Sequence, residues 1–441
     1  MHHFNTIQRS LILLLLMLVP FIGNSQPTTT LETASLDHVL QYALEHAPAI
    51  QQAEIDRKIT NKSVKGRLAD WLPQVNFNYN YQHFIDLQTS VIGGNVIRFG
   101  VNNTSSAQFT ATQTIFNRDV LLASSTASRV TSQAEQNATK VRIETIVNVT
   151  KAFYDVLATT QQIKVNEESI SRLERSLKDA NSRYQSGIAD KTDYKRGTIL
   201  LNNAKAALTG TREQLKYKSG VLHTLIGYPT DKEISLRYDP VTLEQDIFID
   251  TTQILNLSSH IDYRILYTQK ELQRANVRYS NWAFLPSLSA FGAYNLNYQN
   301  NSFGELYKQE FPYSYVGLTL ALPVFQGGKR ILKAQESRLA ASRLDVSLSN
   351  LENALQTEYI RAISAYKTNL ENYFSQRENI QLAEEVYEVI NLQYKNGIRT
   401  YLDVTIAETE LRTTRLNYIN SLYLVLSSKM DVLRALGQIS Y

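Results

Sequence analysis

Tyr184-Gln185-Ser186-Gly187-Ile188 reappears as Tyr394-Lys395-Asn396-Gly397-Ile398, 210 positions later. The same offset pairs Asp193 with Asp403, Leu201 with Leu411 and Gly227 with Gly437, without a gap. Working outward, Trp71-Leu72-Pro73-Gln74-Val75 is echoed by Phe284-Leu285-Pro286-Ser287-Leu288, and Thr114-Ile115-Phe116 by Pro323-Val324-Phe325. A period this long describes two domain-sized units rather than a solenoid of short repeats.

Each half follows one order: helix, two strands, a very long helix, a returning helix. Helical pattern covers about 36–70, with Pro48 at a first-turn position and Pro73 as the stop. In Val75-Asn76-Phe77-Asn78-Tyr79-Asn80-Tyr81-Gln82, apolar and aromatic residues alternate with amides, the period of a strand. Thr89 to Ser105 reads as a loop, and Ser106 to Ile115 alternates again. The second half matches with Leu288 to Tyr298, a loop holding Phe303-Gly304 and Pro312, and a strand bearing Val316, Leu318, Leu320 and Leu322 on one face. Phe77, Tyr79, Tyr81, Tyr294, Leu296 and Tyr298 are expected toward lipid or an aromatic girdle. Asn76, Asn78, Asn80, Asn295 and Asn297 are expected toward water, as in a membrane barrel. The alternative is a soluble hairpin packed on helices.

The long helix of the first half runs from about 118 to 186 without proline. Ala152, Val156, Thr159, Ile163, Asn166, Ile170, Leu173, Leu177, Ala180 and Tyr184 step by four and three, a heptad seam. The 210 offset reproduces it from Ala362 to Tyr394. At 1.5 Å per residue such a helix is on the order of 100 Å long. Gly187 and Gly397 sit where a helix ends in a left-handed residue. Asp190 and Thr400 suit the N-caps of the return helices, with Asp193 and Asp403 at the third position of a capping box.

Composition bounds the function. Arg9, an apolar run from Leu11 to Ile22 and Gly23-Asn24-Ser25 make a signal peptide cut after Ser25, so the mature chain is exported. There is no cysteine, hence no disulfide framework and no acylated cysteine. A net charge of +4 without a basic cluster argues against a nucleic-acid partner. Beyond the signal no apolar stretch is long enough for a membrane helix, so membrane entry requires strands. His38, His46, His83, His223 and His260 show no ligand spacing, and no catalytic constellation stands out; neither a metal nor a cofactor is expected.

These residues together resemble the TolC-like outer-membrane efflux proteins, the outer membrane factors. Asn396 to Val404 followed by Ala407 is similar to the family's second-repeat turn, and Tyr184 to Asp193 to the first. The resemblance implies a mainly α protein with a membrane β-barrel. Long antiparallel coiled-coil helices form a periplasmic tunnel, and four strands per protomer join a shared 12-stranded barrel in a homotrimer. From the strands alone, four are too few to close a barrel, which leaves dimer and trimer open; the family implies three.

The expected parts are 1–25 signal peptide, 26–227 first repeat, 228–253 inter-repeat equatorial segment and 254–441 second repeat. The resemblance further implies a periplasmic gate at Thr192, Asp193, Tyr394 and Arg399, and a lumenal acidic ring at Asp403. The family's second aspartate is Ile406 here. It also implies a passive exit duct in the outer membrane of a Gram-negative bacterium, joined through a periplasmic adaptor to an inner-membrane transporter. A periplasmic coiled-coil tether without a pore and an exported enzyme are the competing classes.

Overall fold

The computed structural model describes residues 33–238 and 240–440. The signal peptide expected at 1–25 lies outside them. A proline divides the first helical stretch. Helix α1 (Leu36–His46) is capped by Ser35, and α2 (Pro48–Leu68) starts on Pro48, whose missing N–H is no loss in a first turn. A 3-10 turn at Ala69–Trp71 then delivers the chain through Leu72-Pro73 into β2 (Gln74–His83). The second half repeats this step. Helix α6 (Ile261–Asn281) and a 3-10 turn at Trp282–Phe284 precede Leu285-Pro286 and β7 (Ser287–Asn300).

With β5 (Asn103–Phe116) and β8 (Glu310–Ala321), these strands form one antiparallel sheet of order β2-β5-β7-β8. Phe77, Phe109, Tyr294 and Ser314 lie in one row across it, and Asn78, Gln108, Asn295 and Tyr313 in the next. Successive rows point to opposite faces. The amide face and the aromatic face are therefore as the alternation predicts, except that Phe291 of β7 and Phe311, Tyr313 and Tyr315 of β8 lie on the amide side. On the other face Val316, Leu318 and Leu320 are 89%, 70% and 67% exposed.

Two loop expectations need correction. Residues 89–105 hold a hairpin, β3 (Gln88–Ile92) with β4 (Asn95–Phe99), and β5 already begins at Asn103. The turn is Gly93-Gly94 with φ of 60° and 87°, the left-handed pair that a tight two-residue hairpin requires. Pro312 belongs to β8 rather than to the preceding loop. An edge strand has one row of backbone groups without a partner, so it tolerates the missing N–H.

The body is helical. Helix α3 (Arg118–Gln185) is followed by its return helix α4 (Lys191–Ile226), and α7 (Lys329–Lys395) by α8 (Tyr401–Leu436). The seam from Ala152 to Ala180 is buried or half-buried, while Tyr184 at its end is exposed. Helix α8 packs against α3 as well as α7, and this joins the halves. Along that line Lys151 meets Asp431, Gln162 meets Asn420, Arg415 bridges Glu168 and Glu384, and Arg172 meets Glu408. Partners fall on α3 as they rise on α8, the antiparallel register.

Between the halves, β1 (Thr33–Ala34) pairs in parallel with β6 (Ser235–Leu236), and α5 (Pro240–Gln245) follows. Tyrosines of the second coil fix this stretch: Tyr366 donates to the Ile247 carbonyl at 2.8 Å and Tyr418 to Glu244 at 2.6 Å. No helix among the described residues is long and apolar enough to cross a membrane.

Candidate functional site: the coil tips and the open sheet

The two helical turns lie at the end of the coils far from the sheet. Each closes in the same way. Ile188 N–H donates to the Arg183 carbonyl and Gly187 N–H to that of Tyr184; Ile398 and Gly397 repeat this on Gln393 and Tyr394. Gly187 and Gly397 have φ of 74° and 78°, so a side chain there would be strained.

The caps then diverge. Thr400 forms a full capping box: its hydroxyl accepts from Asp403 N–H, and Asp403 Oδ2 accepts from the Thr400 N–H at 3.0 Å and hydroxyl at 2.8 Å. These bonds, the hydroxyl first, and then nearby Arg399 hold the Asp403 carboxyl below the usual aspartate range. In the first repeat the cap is Asp190, whose Oδ1 takes both the N–H and the hydroxyl of Thr192 at 2.6 Å. The box expected at Asp193 does not form: Asp190, unlike Thr400, has no hydroxyl to donate to a second carboxylate, and the Asp193 side chain is half-exposed.

Thr192, Asp193, Tyr394 and Arg399 come to one end of the chain, but no hydrogen bond joins them to one another among the described residues. Arg399 is exposed and donates to Gln393 of its own repeat at 3.2 Å. Thr192 is engaged by Asp190. Tyr394 is buried, and its hydroxyl has no partner among the described residues. Burial first, against the opposing effect of Arg183, pushes that hydroxyl's pKa up, with Asp193 among the minor contributors. The hydroxyl is sealed by its own chain, and Asp193 makes no hydrogen bond to it.

A different residue ties the coils here. Arg183, in the last turn of α3, places its guanidinium 4.7 Å from the centre of the Tyr394 ring and donates through Nη2 to the Lys395 carbonyl at 2.9 Å. That carbonyl ends α7, where unpaired C=O groups and the helix dipole favour a cation. Beside it Tyr401, the first residue of α8, is fully buried, its ring centre 5.7 Å from that of Tyr394. Gly197 on α4 makes room for it: a Cβ there would overlap the Tyr401 hydroxyl and Leu177. Two turns further along α8, the buried Glu408 accepts from Arg172 Nε at 2.8 Å and Ser169 at 2.7 Å. The sequence reading passed over Arg183, Gly197, Tyr401 and Glu408. Only Gly197, a glycine inside a heptad-patterned helix, carries a local signal.

At the other end the sheet has two free edges, β2 and β8, and they run in opposite directions. Every residue of β2 is exposed. The chain turn before β8 folds back on the aromatic face, with the Tyr307 hydroxyl 2.7 Å from that of Tyr79 and Phe303 edge-on to Tyr81.

A family model described as outer membrane efflux protein matches residues 39–228 and 268–438, one segment in each half. The chain is 21% identical over 418 residues to the outer membrane protein TolC of Vibrio cholerae serotype O1, covering 92% of this chain and 91% of that one. It is 22% identical over 455 residues to TolC of Escherichia coli K12, covering 93% and 83%. Among solved structures, the outer membrane protein VceC from Vibrio cholerae superposes with a TM-score of 0.71 at 16% identity, over 91% of this chain and 96% of that one. CusC does so with a TM-score of 0.75 at 14% identity, over 91% of each.

Proposed function

Because this chain belongs to the outer membrane efflux protein family, we propose that three copies assemble into a passive duct from the periplasm to the outside. It is an outer-membrane efflux channel of a Gram-negative bacterium, with its helical body in the periplasm. The observation that supports a barrel shared between copies is the sheet, and the number three is taken from the family. Four antiparallel strands leave two edges of opposite direction, so β8 of one copy can pair antiparallel with β2 of the next and every copy after it. Such pairing satisfies the edge groups, which have no partner in lipid. Three copies give twelve strands, the exposed Val316-Leu318-Leu320 row faces lipid and the amide rows face the lumen. A tether without a pore gives no reason for that exposed apolar row.

The helical tips form the periplasmic entrance, where a periplasmic adaptor joins the duct to an inner-membrane transporter. Thr192, Asp193, Tyr394 and Arg399 border the entrance, with Arg183 holding the second coil against the first. Asp403 uses Oδ2 for its cap and keeps Oδ1 free of hydrogen bonds among the described residues. Capping the helix and contributing one carboxylate to a lumenal ring of three are thus compatible. A ring of carboxylates favours cations and binds a multivalent cation tightly.

Purified protein in planar bilayers tests both levels. It forms cation-preferring pores blocked by a trivalent cation, and Asp403→Ala raises the blocking concentration at least tenfold. Unchanged block in Asp403→Ala removes the ring, and failure of the wild type to form any pore removes the duct.

A further inference from the structure

We propose that the junction between sheet and helices holds the headgroup of an anionic glycerophospholipid from the periplasm-facing leaflet. The inference rests on the barrel reading above, which puts this junction at the membrane surface. The two tryptophans of the sequence, Trp71 and Trp282, occupy the two helix-to-strand turns, the level at which tryptophan marks a membrane interface. Between α3, α6 and α7 at that level is a cleft of about 1210 Å³.

Its walls divide by chemistry. Leu320 and Leu322 line it and continue the outward row of Val316 and Leu318. Val324 and Phe325, just beyond, are each 86% exposed. An apolar patch this exposed marks an interaction site, which an acyl chain would fill.

On the helical side are Arg118, Lys329 and Arg330. Arg118 stacks on Tyr279 at 4.7 Å, and Arg330 stacks on Phe284 at 4.8 Å while donating to the Ala283 and Val324 carbonyls. None of the three is ion-paired with a carboxylate among the described residues. The two acids of the cleft are engaged by neighbours that also line it: Asp119 accepts from Tyr279 at 2.5 Å and Glu336 pairs with Lys333 at 2.9 Å. Arg118 and Lys329 also stand at the first positions of α3 and α7, where a helix dipole disfavours a cation. Helix stability therefore does not account for them. Three cations without a carboxylate partner among the described residues, beside an apolar track, match a phosphodiester with attached acyl chains, a charge and shape complement that a zwitterionic lipid offers less well.

Native mass spectrometry of the purified oligomer in mixed micelles reads the result. With phosphatidylglycerol present, about one molecule is retained per chain, and ten times less phosphatidylcholine. Arg118→Gln with Lys329→Gln lowers phosphatidylglycerol retention at least tenfold, and Phe325→Ser lowers it through the acyl arm. Lys195→Gln, on the distant coil tip, leaves it unchanged, and millimolar inorganic phosphate does not displace the lipid. Equal retention by wild type and double variant overturns the site. Equal retention of both lipids, or displacement by phosphate alone, overturns the anionic-lipid assignment. Pore formation in planar bilayers separates the levels: variants that still form pores test this site alone, whereas a wild type that forms none undermines the barrel itself.

Discussion

Arg183→Ala raises the conductance of the resting channel severalfold, whereas Tyr394→Phe leaves it nearly unchanged. The arginine makes two interactions across the coils, a charged hydrogen bond to the Lys395 carbonyl at 2.9 Å and a stack on Tyr394 at 4.7 Å. A charge-assisted hydrogen bond contributes about 1.5–3 kcal/mol and an exposed cation–π contact about 0.5–1 kcal/mol. Arg183 is half-buried, so the lower ends apply, about 2 kcal/mol per chain. That is roughly a thirtyfold shift between closed and open tips for each chain. Tyr394 supplies a ring, and phenylalanine supplies the same ring. Its hydroxyl is buried without a partner among the described residues, and removing such a group is close to neutral. Single-channel recording distinguishes the two. A conductance raised by Tyr394→Phe and untouched by Arg183→Ala would place the latch on the tyrosine hydroxyl instead.

Val316→Arg abolishes accumulation of folded protein in outer-membrane fractions, while Asn78→Arg is tolerated. Both positions are exposed on edge strands of one sheet, so only the face differs. Val316 shares its row with Gly292, Ala111 and Val75; Asn78 shares its own with Gln108 and Asn295. A cation on the lipid face near the midplane costs roughly 2–4 kcal/mol, against far less on a lumenal face. The difference amounts to a thirtyfold or greater change in the folded fraction. Heat-modifiable mobility of the membrane fraction reports it, and equal loss in both variants would mean that the sheet does not separate lipid from water.

The coils were the most legible part. Their return helices keep the 210 offset to the residue, Lys191 to Ile226 and Tyr401 to Leu436, because glycine and N-cap chemistry at a helix turn is local. Strand alternation was legible for the same reason. The Gly93-Gly94 hairpin was hidden by weak flanking alternation, and Pro312 by the rule that excludes proline from central strands but not from edges. The tip contacts were illegible in physical terms. Arg183 and Lys395 are brought together only when α8 packs on α3, and nothing local marks an arginine in a last turn as a latch rather than a dipole partner. The box expected at Asp193 fails because its cap is itself a carboxylate, which repels a second one where the Thr400 hydroxyl donates to Asp403.

The central claim is that each chain supplies four strands to a ring closed by three. The chain has no cysteine, so pairs can be introduced without background: one at Asn78 on the β2 edge, with the second stepped along Phe311, Tyr313 and Tyr315 on the β8 edge. A short bis-maleimide applied to outer membranes, followed by denaturing electrophoresis, reads the neighbour relation directly. At least one pair gives a ladder of one, two and three chains that stops at three. A ladder that stops at two, one that continues past three, or the absence of any cross-link along the whole β8 edge would contradict it.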